Sequence, residues 1–352
     1  MSPIPLSHSR GSLHIGETVK MGDTPPKLGK SKAVNRLPPP SLPSYAGSPA
    51  WIRYRRILSE RFNIKLRNEP DERWLDWQGH RLHLDVHEPQ GKPRGTLILV
   101  HGAGGHGRLL APLGEHIASL GWRAVAPDLP GYGLTIVRKG WRENYAEWPE
   151  FLAELTEMSE GPVVLLGLSV GGMTALRAAQ LSPKAKGIIA TTLVNLSEPE
   201  TFVAVARWRW LGRLSLLCMR LTPWLMDRLP LPLGLVTPLE AMSSDPALQR
   251  WFKSEPLIGQ RIVRGRFFRS LHQYSPPRPD FALHCPLLLV HPGADTWTPT
   301  AMSLPVFDAV PTPKRLQVLS NGSHMPAETP AWAELCIEVR AFLDAISSDE
   351  TG

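Results

Sequence analysis

Residues 163–179 read VVLLGLSVGGMTALRAA, and this stretch decides the fold. Its first five residues form an apolar run that is typical of a buried strand, and the alanine-rich run after Gly172 is typical of a helix. Between them, the sequence GLSVG at 167–171 predicts a sharp strand-to-helix turn, because glycine on both sides of a serine lets the two elements approach closely. Ser169 is therefore expected to stand exposed at this corner, where it can act as a nucleophile.

A serine is a weak nucleophile unless a base lies nearby and a third group orients that base. Two later loops carry residues that could fill these two roles. A predicted strand ending at Val290 runs into HPGADTWTP at 291–299, and another ending at Leu319 runs into SNGSHMP at 320–326. Loops that follow parallel strands meet at one edge of the sheet. We therefore predict Asp295 as the acid and His324 as the base beside Ser169.

Other residues could fill these roles. Glu198 and Glu200 follow the predicted strand at 187–194 and could supply the carboxylate, and Asn195 occupies the more direct position for such a variant. Three further histidines are weaker candidates for the base: His106, His284 and His291. They do not lie on the last post-strand loop and are more typical of packing or solvated positions.

An oxyanion in the reaction needs fixed N–H donors. The N–H of Val170 follows the nucleophile at the start of a helix and is one candidate. The loop HGAGGHG at 101–107 follows another buried strand, and its glycines permit close backbone approach. From this loop we predict the N–H of Ala103 as the second donor of the oxyanion hole.

Four motifs carry a resemblance to a known family: LVHG at 99–102, DLPGYG at 128–133, GLSVGG at 167–172, and GAD at 293–295 with GSH at 322–324. From about Trp74 to Ala345 the chain resembles the α/β-hydrolase superfamily, and most of all its monoacylglycerol-lipase, lysophospholipase and carboxylesterase branch. The resemblance implies an α/β-hydrolase fold, with a mostly parallel central sheet flanked by helices. It also implies that His101 and Asp128 are structural residues of their loops. The nucleophile would be a serine, in contrast to epoxide hydrolases and dehalogenases, which use an aspartate.

We predict five segments along the chain. Residues 1–50 are rich in Pro, Ser, Gly and Lys without periodic apolar spacing, which predicts a disordered N-terminal tail. Residues 51–195 and 281–346 alternate strand and helix patterns and predict the two parts of an α/β-hydrolase core. Residues 196–280 interrupt that rhythm with tryptophans, leucines and arginines and predict a helical cap or lid insertion. Residues 347–352 would form a C-terminal tail.

A β-hairpin is predicted near the start of the core. Segments 73–77 and 81–87 alternate apolar and polar residues around the turn QGH at 78–80. The polar set His83, Asp85 and His87 would share one strand face, which we expect to be solvated. With no further ligand nearby in the sequence, we predict no metal site there.

Composition excludes several classes of protein. The formal charge of +7 is scattered and lacks the aromatic-basic repeats of nucleic-acid binders, so no nucleic-acid partner is expected. The three cysteines have no metal or redox spacing, which favours free thiols in a reducing compartment. The first residues lack a signal-peptide apolar core, and no apolar run reaches membrane-spanning length. We expect a cytoplasmic protein without a cofactor; its oligomeric state is not predicted.

Together these features predict a serine hydrolase that cleaves a carboxylic ester through an acyl-enzyme. The apolar cap favours a small-molecule ester with an apolar acyl group, or a lysolipid. The same fold also hosts other activities, which remain alternatives: hydrolysis of small esters or lactones, amidase, aminopeptidase, thioesterase and cofactor-free haloperoxidase activity. An alternative of another class is a non-catalytic binding protein.

Peripheral contact with an anionic membrane is a further hypothesis. It rests on arginines interleaved with large apolar residues in the cap, namely Arg207, Arg209, Arg213 and Arg220 with Phe202, Trp208, Trp210, Leu214 and Leu217.

Overall fold

The computed structural model describes residues 42–276 and 278–349. Its strands are β1 Asp71–Trp77, β2 His80–His87, β3 Thr96–Val100, β4 Arg123–Pro127, β5 Val163–Gly167, β6 Ala185–Ala190, β7 Pro230–Pro232, β8 Ile262–Arg264, β9 Leu287–His291 and β10 Lys314–Val318. Its α-helices are α1 Pro49–Phe62, α2 Ala111–Ser119, α3 Glu147–Met158, α4 Val170–Leu181, α5 Pro199–Val205, α6 Arg209–Leu221, α7 Pro223–Arg228, α8 Leu233–Val236, α9 Pro246–Ser254, α10 Gly265–His272, α11 Leu304–Ala309 and α12 Ala331–Asp349.

Eight strands form one sheet in the order β1-β2-β4-β3-β5-β6-β9-β10. The pairs β1–β2 and β2–β4 are antiparallel, and the remaining pairs are parallel. All residues of β3, β5 and β9 are buried, as the continuous apolar runs of a parallel sheet covered on both faces predict. The mostly parallel α/β sheet predicted from the sequence is therefore confirmed.

The predicted hairpin is present, but its polar face is not solvated. Its two-residue turn has positive φ at both Gln78 (46°) and Gly79 (81°), the geometry that matches the twist of paired strands. His83, Asp85 and His87 are buried, so the expectation of a solvated face was wrong. The reason lies in segments distant in the sequence that pack over this face.

One of these segments belongs to the predicted N-terminal tail. Residues 1–41 lie outside the described part of the chain, but Tyr45 is buried and its ring contacts His83 with centroids 5.2 Å apart. Helix α1 then begins at Pro49, capped by the Ser48 side chain. The predicted boundary at residue 50 is thus several residues too late. At the other end, α12 continues to Asp349, past the predicted core end at residue 346.

The segment between β6 and β9, residues 191–286, carries helices α5 to α10 and the short antiparallel pair β7–β8. We call this segment the insertion. It is mostly helical over its described residues, as the break in the strand rhythm predicts. Within the described ranges, none of the helices has both the length and the apolar content needed to cross a bilayer.

Asp128 ties four segments of the core together. Its carboxylate accepts hydrogen bonds from the Tyr45 hydroxyl (2.9 Å) and from the N–H groups of Gly107 (2.6 Å) and Leu134 (2.8 Å), and His83 Nδ1 lies 3.1 Å away. Burial alone would raise the pKa of Asp128, but the contact and charge of His83 and the Leu134 N–H lower it to about 2. Its stabilising contribution is therefore complete above about pH 4, the usual range of an unfolded aspartate, and is lost as the pH falls through about 2.

We expect Asp128→Asn to lower the free energy of unfolding at pH 7 by about 3 kcal/mol, because the amide removes a buried charge that several donors share. Urea unfolding measures this change. Asp76→Asn is the control, since the exposed Asp76–Arg81 pair on the same hairpin should leave stability unchanged. Equal stability of both variants would contradict the central role of Asp128.

Candidate active site

Ser169 occupies a backbone corner that only close packing can maintain. Its φ of 56° and ψ of −131° lie outside the regions that residues with a side chain favour. A methyl group on Gly167 would stand 2.1 Å from the Gly171 carbonyl oxygen, and one on Gly172 would stand 2.0 Å from the Thr192 oxygen. Gly167 thus lets β5 and α4 meet, and Gly172 lets α4 approach the segment after β6; the side chain of Ser169 is left partly exposed.

A cavity of about 160 Å³ opens at Ser169. Its walls come largely from the insertion and are apolar, and they include Phe202, Leu214, Cys218, Met226, Leu231 and Phe268. Among the described residues, no Asp, Glu, Lys or Arg lines this cavity. A bound molecule beside Ser169 would therefore lie mostly against hydrocarbon.

Asp295 and His324 are hydrogen-bonded to each other, with 2.8 Å between Asp295 Oδ2 and His324 Nδ1. Thr298 supports this pair: its hydroxyl donates to Asp295 Oδ2 (2.7 Å) and its N–H donates to Oδ1 (2.9 Å). The Trp297 N–H donates to the same Oδ1 (2.9 Å). Burial opposes ionisation of Asp295, but His324 and these donors hold its pKa below the ordinary range, so the carboxylate stays charged.

The other ring nitrogen of His324, Nε2, is buried and has no hydrogen-bond partner within the described ranges. Ser169 and His324 are therefore not hydrogen-bonded to each other in this structure. The indole of Trp297 lies against His324 with ring centroids 4.6 Å apart, and its Nε1–H donates to the Val205 carbonyl of α5 (2.9 Å). Trp297 thus links the insertion to His324.

The two predicted oxyanion donors, Ala103 and Val170, border the cavity together with Ser169. A methyl group on Gly102 would stand 2.8 Å from Ser169 Cβ, so the loop after β3 lies directly against the serine. In the part of the chain that the structure describes, neither the Ala103 N–H nor the Val170 N–H has a hydrogen-bond acceptor. Both N–H groups are therefore unpaired among these residues.

The alternative acids and bases are engaged elsewhere. Glu200 is exposed and lies 3.6 Å from Arg209, and Asn195 accepts a hydrogen bond from the Ser197 N–H. Glu198 precedes the first residue of α5. His284 and His291 contact backbone carbonyls, and His106 is buried against the ring of Tyr45.

Glu72, His83 and Asp85 have ligand atoms within 4.8 Å of one another, close enough in principle for a metal ion. The guanidinium of Arg108 already serves two of them, donating to both oxygens of Asp85 (2.7 Å each) and to Glu72 Oε1 (2.6 Å). Arg108, Asp85 and Glu72 thus form an ion-pair network, and His83 Nδ1 lies beside Asp128 (3.1 Å).

Thr298 and Trp297 were missed in the sequence analysis. The pattern Asp295-x-x-Thr298 carries a signal that could have identified Thr298, because an aspartate often accepts hydrogen bonds from the backbone two and three residues later. No comparable local signal marks Trp297, whose partners Val205 and His324 are distant in the sequence.

Comparisons with known proteins give the family and the fold. A family model described as "Serine aminopeptidase, S33" matches residues 91–329. A monoacylglycerol lipase of Mycolicibacterium smegmatis is 25% identical over 242 residues, which are 66% of this chain and 81% of that protein. A pimeloyl-[acyl-carrier protein] methyl ester esterase of Aliivibrio salmonicida is 28% identical over 153 residues, covering 44% of this chain and about half (54%) of that protein.

Solved structures show the same fold. A soluble variant of the monoglyceride lipase of Saccharomyces cerevisiae, in complex with a substrate analogue, superposes with a TM-score of 0.64 at 20% identity and covers 81% of this chain and 98% of that one. The family model spans more than half of the chain. The chain therefore belongs to the serine aminopeptidase S33 family, within the α/β-hydrolase superfamily.

Proposed function

We propose that this protein is an esterase that hydrolyses a carboxylic ester with an apolar acyl group, of the monoacylglycerol or lysolipid type, through an acyl-enzyme. The observation that carries the proposal is the position of Ser169, which lies at a strained corner and faces a cavity without charged walls. The lipase and esterase relatives agree with ester hydrolysis.

In the proposed mechanism, Ser169 Oγ attacks the ester carbonyl carbon while His324 Nε2 takes the hydroxyl proton. Asp295 keeps the proton of His324 on Nδ1, which leaves Nε2 free as the base, and stabilises the imidazolium that forms. The tetrahedral intermediate then expels the alcohol, which receives the proton from Nε2. A water molecule, deprotonated by the same nitrogen, releases the carboxylic acid and restores Ser169.

The N–H groups of Ala103 and Val170 would stabilise the oxyanion of both tetrahedral intermediates. Their effect on the reaction rate depends on the two N–H groups being fixed before the reaction, because donors that need no reorganisation lower the activation barrier most. The Gly107 N–H, held by the buried carboxylate of Asp128, anchors the far end of the loop that contains Ala103. Removal of one donor from such a pair typically slows turnover by about 10²–10³-fold.

The lining of the cavity favours an ester with an apolar acyl chain over an aminopeptidase substrate. An aminopeptidase must bind a charged α-ammonium group, and a buried ammonium without an anionic partner is costly. Among the residues of the described ranges that line the cavity, there is no aspartate or glutamate. The insertion would act as the cap that covers the acyl chain, the role predicted from the sequence for residues 196–280.

We further propose a cytoplasmic location. Cys218, Cys285 and Cys336 are free thiols, as expected in a reducing compartment. Burial raises the pKa of Cys285 and Cys336 to about 12, which keeps both thiols protonated and unreactive.

We expect Ser169→Ala to lower the turnover of p-nitrophenyl esters by at least about 10³-fold. In the wild-type protein, turnover should increase from acetate to medium-length acyl chains, because longer chains bury more apolar surface in the cavity. Release of p-nitrophenol in detergent-free buffer measures both effects.

The matched control is Ser215→Ala, which removes another cavity-lining hydroxyl and should keep turnover. Full activity of Ser169→Ala would refute the proposed nucleophile. Maximal turnover with acetate would shift the assignment to small esters or lactones, and absence of ester turnover in the wild-type protein would favour an amidase or a non-catalytic protein.

Thr298→Val should lower kcat about tenfold with little change in KM, because it keeps the shape of the cavity but removes one donor to Asp295. Steady-state kinetics with a soluble ester measures the two constants. Thr237→Val is the control, since Thr237 also lines the cavity but donates to the Leu233 carbonyl. A similar kcat for both variants would show that the Thr298 hydroxyl does not support the Asp295–His324 pair.

We also propose that the insertion contacts a membrane surface. The residues Trp210, Leu214, Leu217 and Leu221 recur at helical spacing on α6, and all four are exposed, Trp210 by 61% and Leu221 by 65%. Trp224 and Leu225 of α7 extend this exposed set. We call these six residues the apolar ridge.

The arginines around the ridge fit an anionic surface. Arg209 is more than half exposed, and Arg213 and Arg220 form no ion pair with any described carboxylate. Two residues of the original hypothesis do not belong to the surface, because Phe202 is buried and Arg207 is paired with Glu240 at 2.9 Å. An amphipathic helix with arginines beside tryptophan and leucine is typical of interfacial binding.

Replacement of Trp210 and Leu221 by serine should weaken partition onto anionic vesicles by at least about tenfold, since each side chain would lose about 1.5–3 kcal/mol of apolar burial. Co-sedimentation at low salt measures the partition. The control is Ile337→Ser, which removes a similarly exposed apolar side chain from α12. A wild-type protein that does not sediment with these vesicles would refute the membrane contact.

A further inference from the structure

A second concave site lies beside α7. It is lined by four arginines, Arg142, Arg228, Arg264 and Arg266, together with Trp224, Glu143 and Asp227. We call it the arginine groove. It is separate from the cavity at Ser169 and shares no lining residue with it.

The carboxylate of Asp227 does not balance this charge. It is shared between Arg266 (2.8 Å) and Arg269 (2.6 Å), and the hydrogen bond from Arg269 keeps its pKa below the ordinary range. Within the described ranges, Arg142, Arg228 and Arg264 form no ion pair with a carboxylate. Glu143 is then the one remaining acid against three unpaired arginines, so the groove carries a net positive charge.

Two of these arginines are held in place by backbone oxygens. Arg228 Nη1 donates to the Trp224 carbonyl (3.0 Å), and Arg264 Nη1 donates to the Arg228 carbonyl (2.8 Å). In addition, Arg266 Nε is buried without any hydrogen-bond acceptor in the described chain. The groove is thus lined by several guanidinium groups with N–H donors that have no acceptor among the described residues, an arrangement suited to an anion with several oxygens.

Helix α7 joins this groove to the two apolar surfaces. Within its six residues, Trp224 and Leu225 belong to the apolar ridge, Met226 lines the cavity at Ser169, and Asp227 and Arg228 line the groove. A ligand that meets all three surfaces must carry an anionic group next to hydrocarbon. Phospholipids at a membrane surface have this character, and a tryptophan is favoured at the boundary between headgroup and acyl chains.

We propose that the arginine groove binds the phosphate of an anionic phospholipid and so orients the cavity toward the bilayer. Arginine suits this role because its planar fork matches phosphate oxygens in bidentate geometry. The inference rests on the proposed membrane contact of the ridge and adds the identity of the headgroup. It does not depend on the ester chemistry of Ser169.

The test compares wild-type protein with the double variant Arg228→Gln/Arg264→Gln on three vesicle types: phosphatidylcholine alone, phosphatidylcholine with phosphatidic acid, and phosphatidylcholine with oleate at equal charge. The wild-type protein should prefer phosphatidic acid to oleate. The variant should lose at least about fivefold in partition onto phosphatidic acid, the effect of one basic residue at an anionic surface, and should lose that preference.

The control double variant Arg94→Gln/Arg315→Gln removes the same charge from residues paired with Asp344 and Glu338 outside the insertion, and it should bind as the wild-type protein does. Unchanged turnover of a soluble p-nitrophenyl ester in vesicle-free buffer checks that the groove variant is folded, and a circular dichroism spectrum does so independently of activity.

The outcomes separate the two proposals. Equal binding of wild-type protein and groove variant to phosphatidic acid vesicles, or equal wild-type binding to phosphatidic acid and oleate, would overturn the phosphate site while leaving membrane contact intact. Failure of the wild-type protein to bind any of the three vesicle types would overturn the membrane contact itself, and with it this inference. Loss of the phosphatidic acid preference in the groove variant alone would support the site.

Discussion

The arrangement around Ser169 depends on one steric constraint, the close approach of α4 to β5 and to the segment after β6. Carbonyl oxygens of Gly171 and Thr192 lie where methyl groups on Gly167 and Gly172 would be, so glycine is required at both positions. The corner also fixes the Val170 N–H at the first turn of α4, next to the loop that contains Ala103. The proposed nucleophile and the proposed oxyanion donors are therefore positioned by the same backbone packing.

Much of the fold could be predicted because its signals are local. The central strands β3, β5 and β9 are short apolar runs, and the order of loops after β5, β9 and β10 indicates that their residues meet at one edge. The hydrogen bond between Asp295 and His324 agrees with that expectation. The residues with catalytic roles in our proposal are visible in the sequence because each lies next to a glycine-rich turn after a strand.

The polar side of the hairpin could not be predicted in this way. Alternation in β2 indicates two faces but not what covers them, and here Tyr45 and Arg108 cover the second face from separate parts of the chain. Asp85 is buried with Arg108 as its ion-pair partner, and His83 is buried with Nδ1 3.1 Å from the Asp128 carboxylate, so both positions depend on tertiary contacts. For the same reason, local periodicity did not indicate that Phe202 is buried while Trp210 is exposed.

Trp297 has a consequence for the movement of the insertion. Its indole is held by the Val205 carbonyl at one edge and lies against the imidazole of His324. Displacement of α5 away from the sheet must break that hydrogen bond or draw the indole off the imidazole, and either change loosens the orientation of the ring. The position of α5 and the surroundings of His324, the proposed base, are therefore coupled through this one side chain.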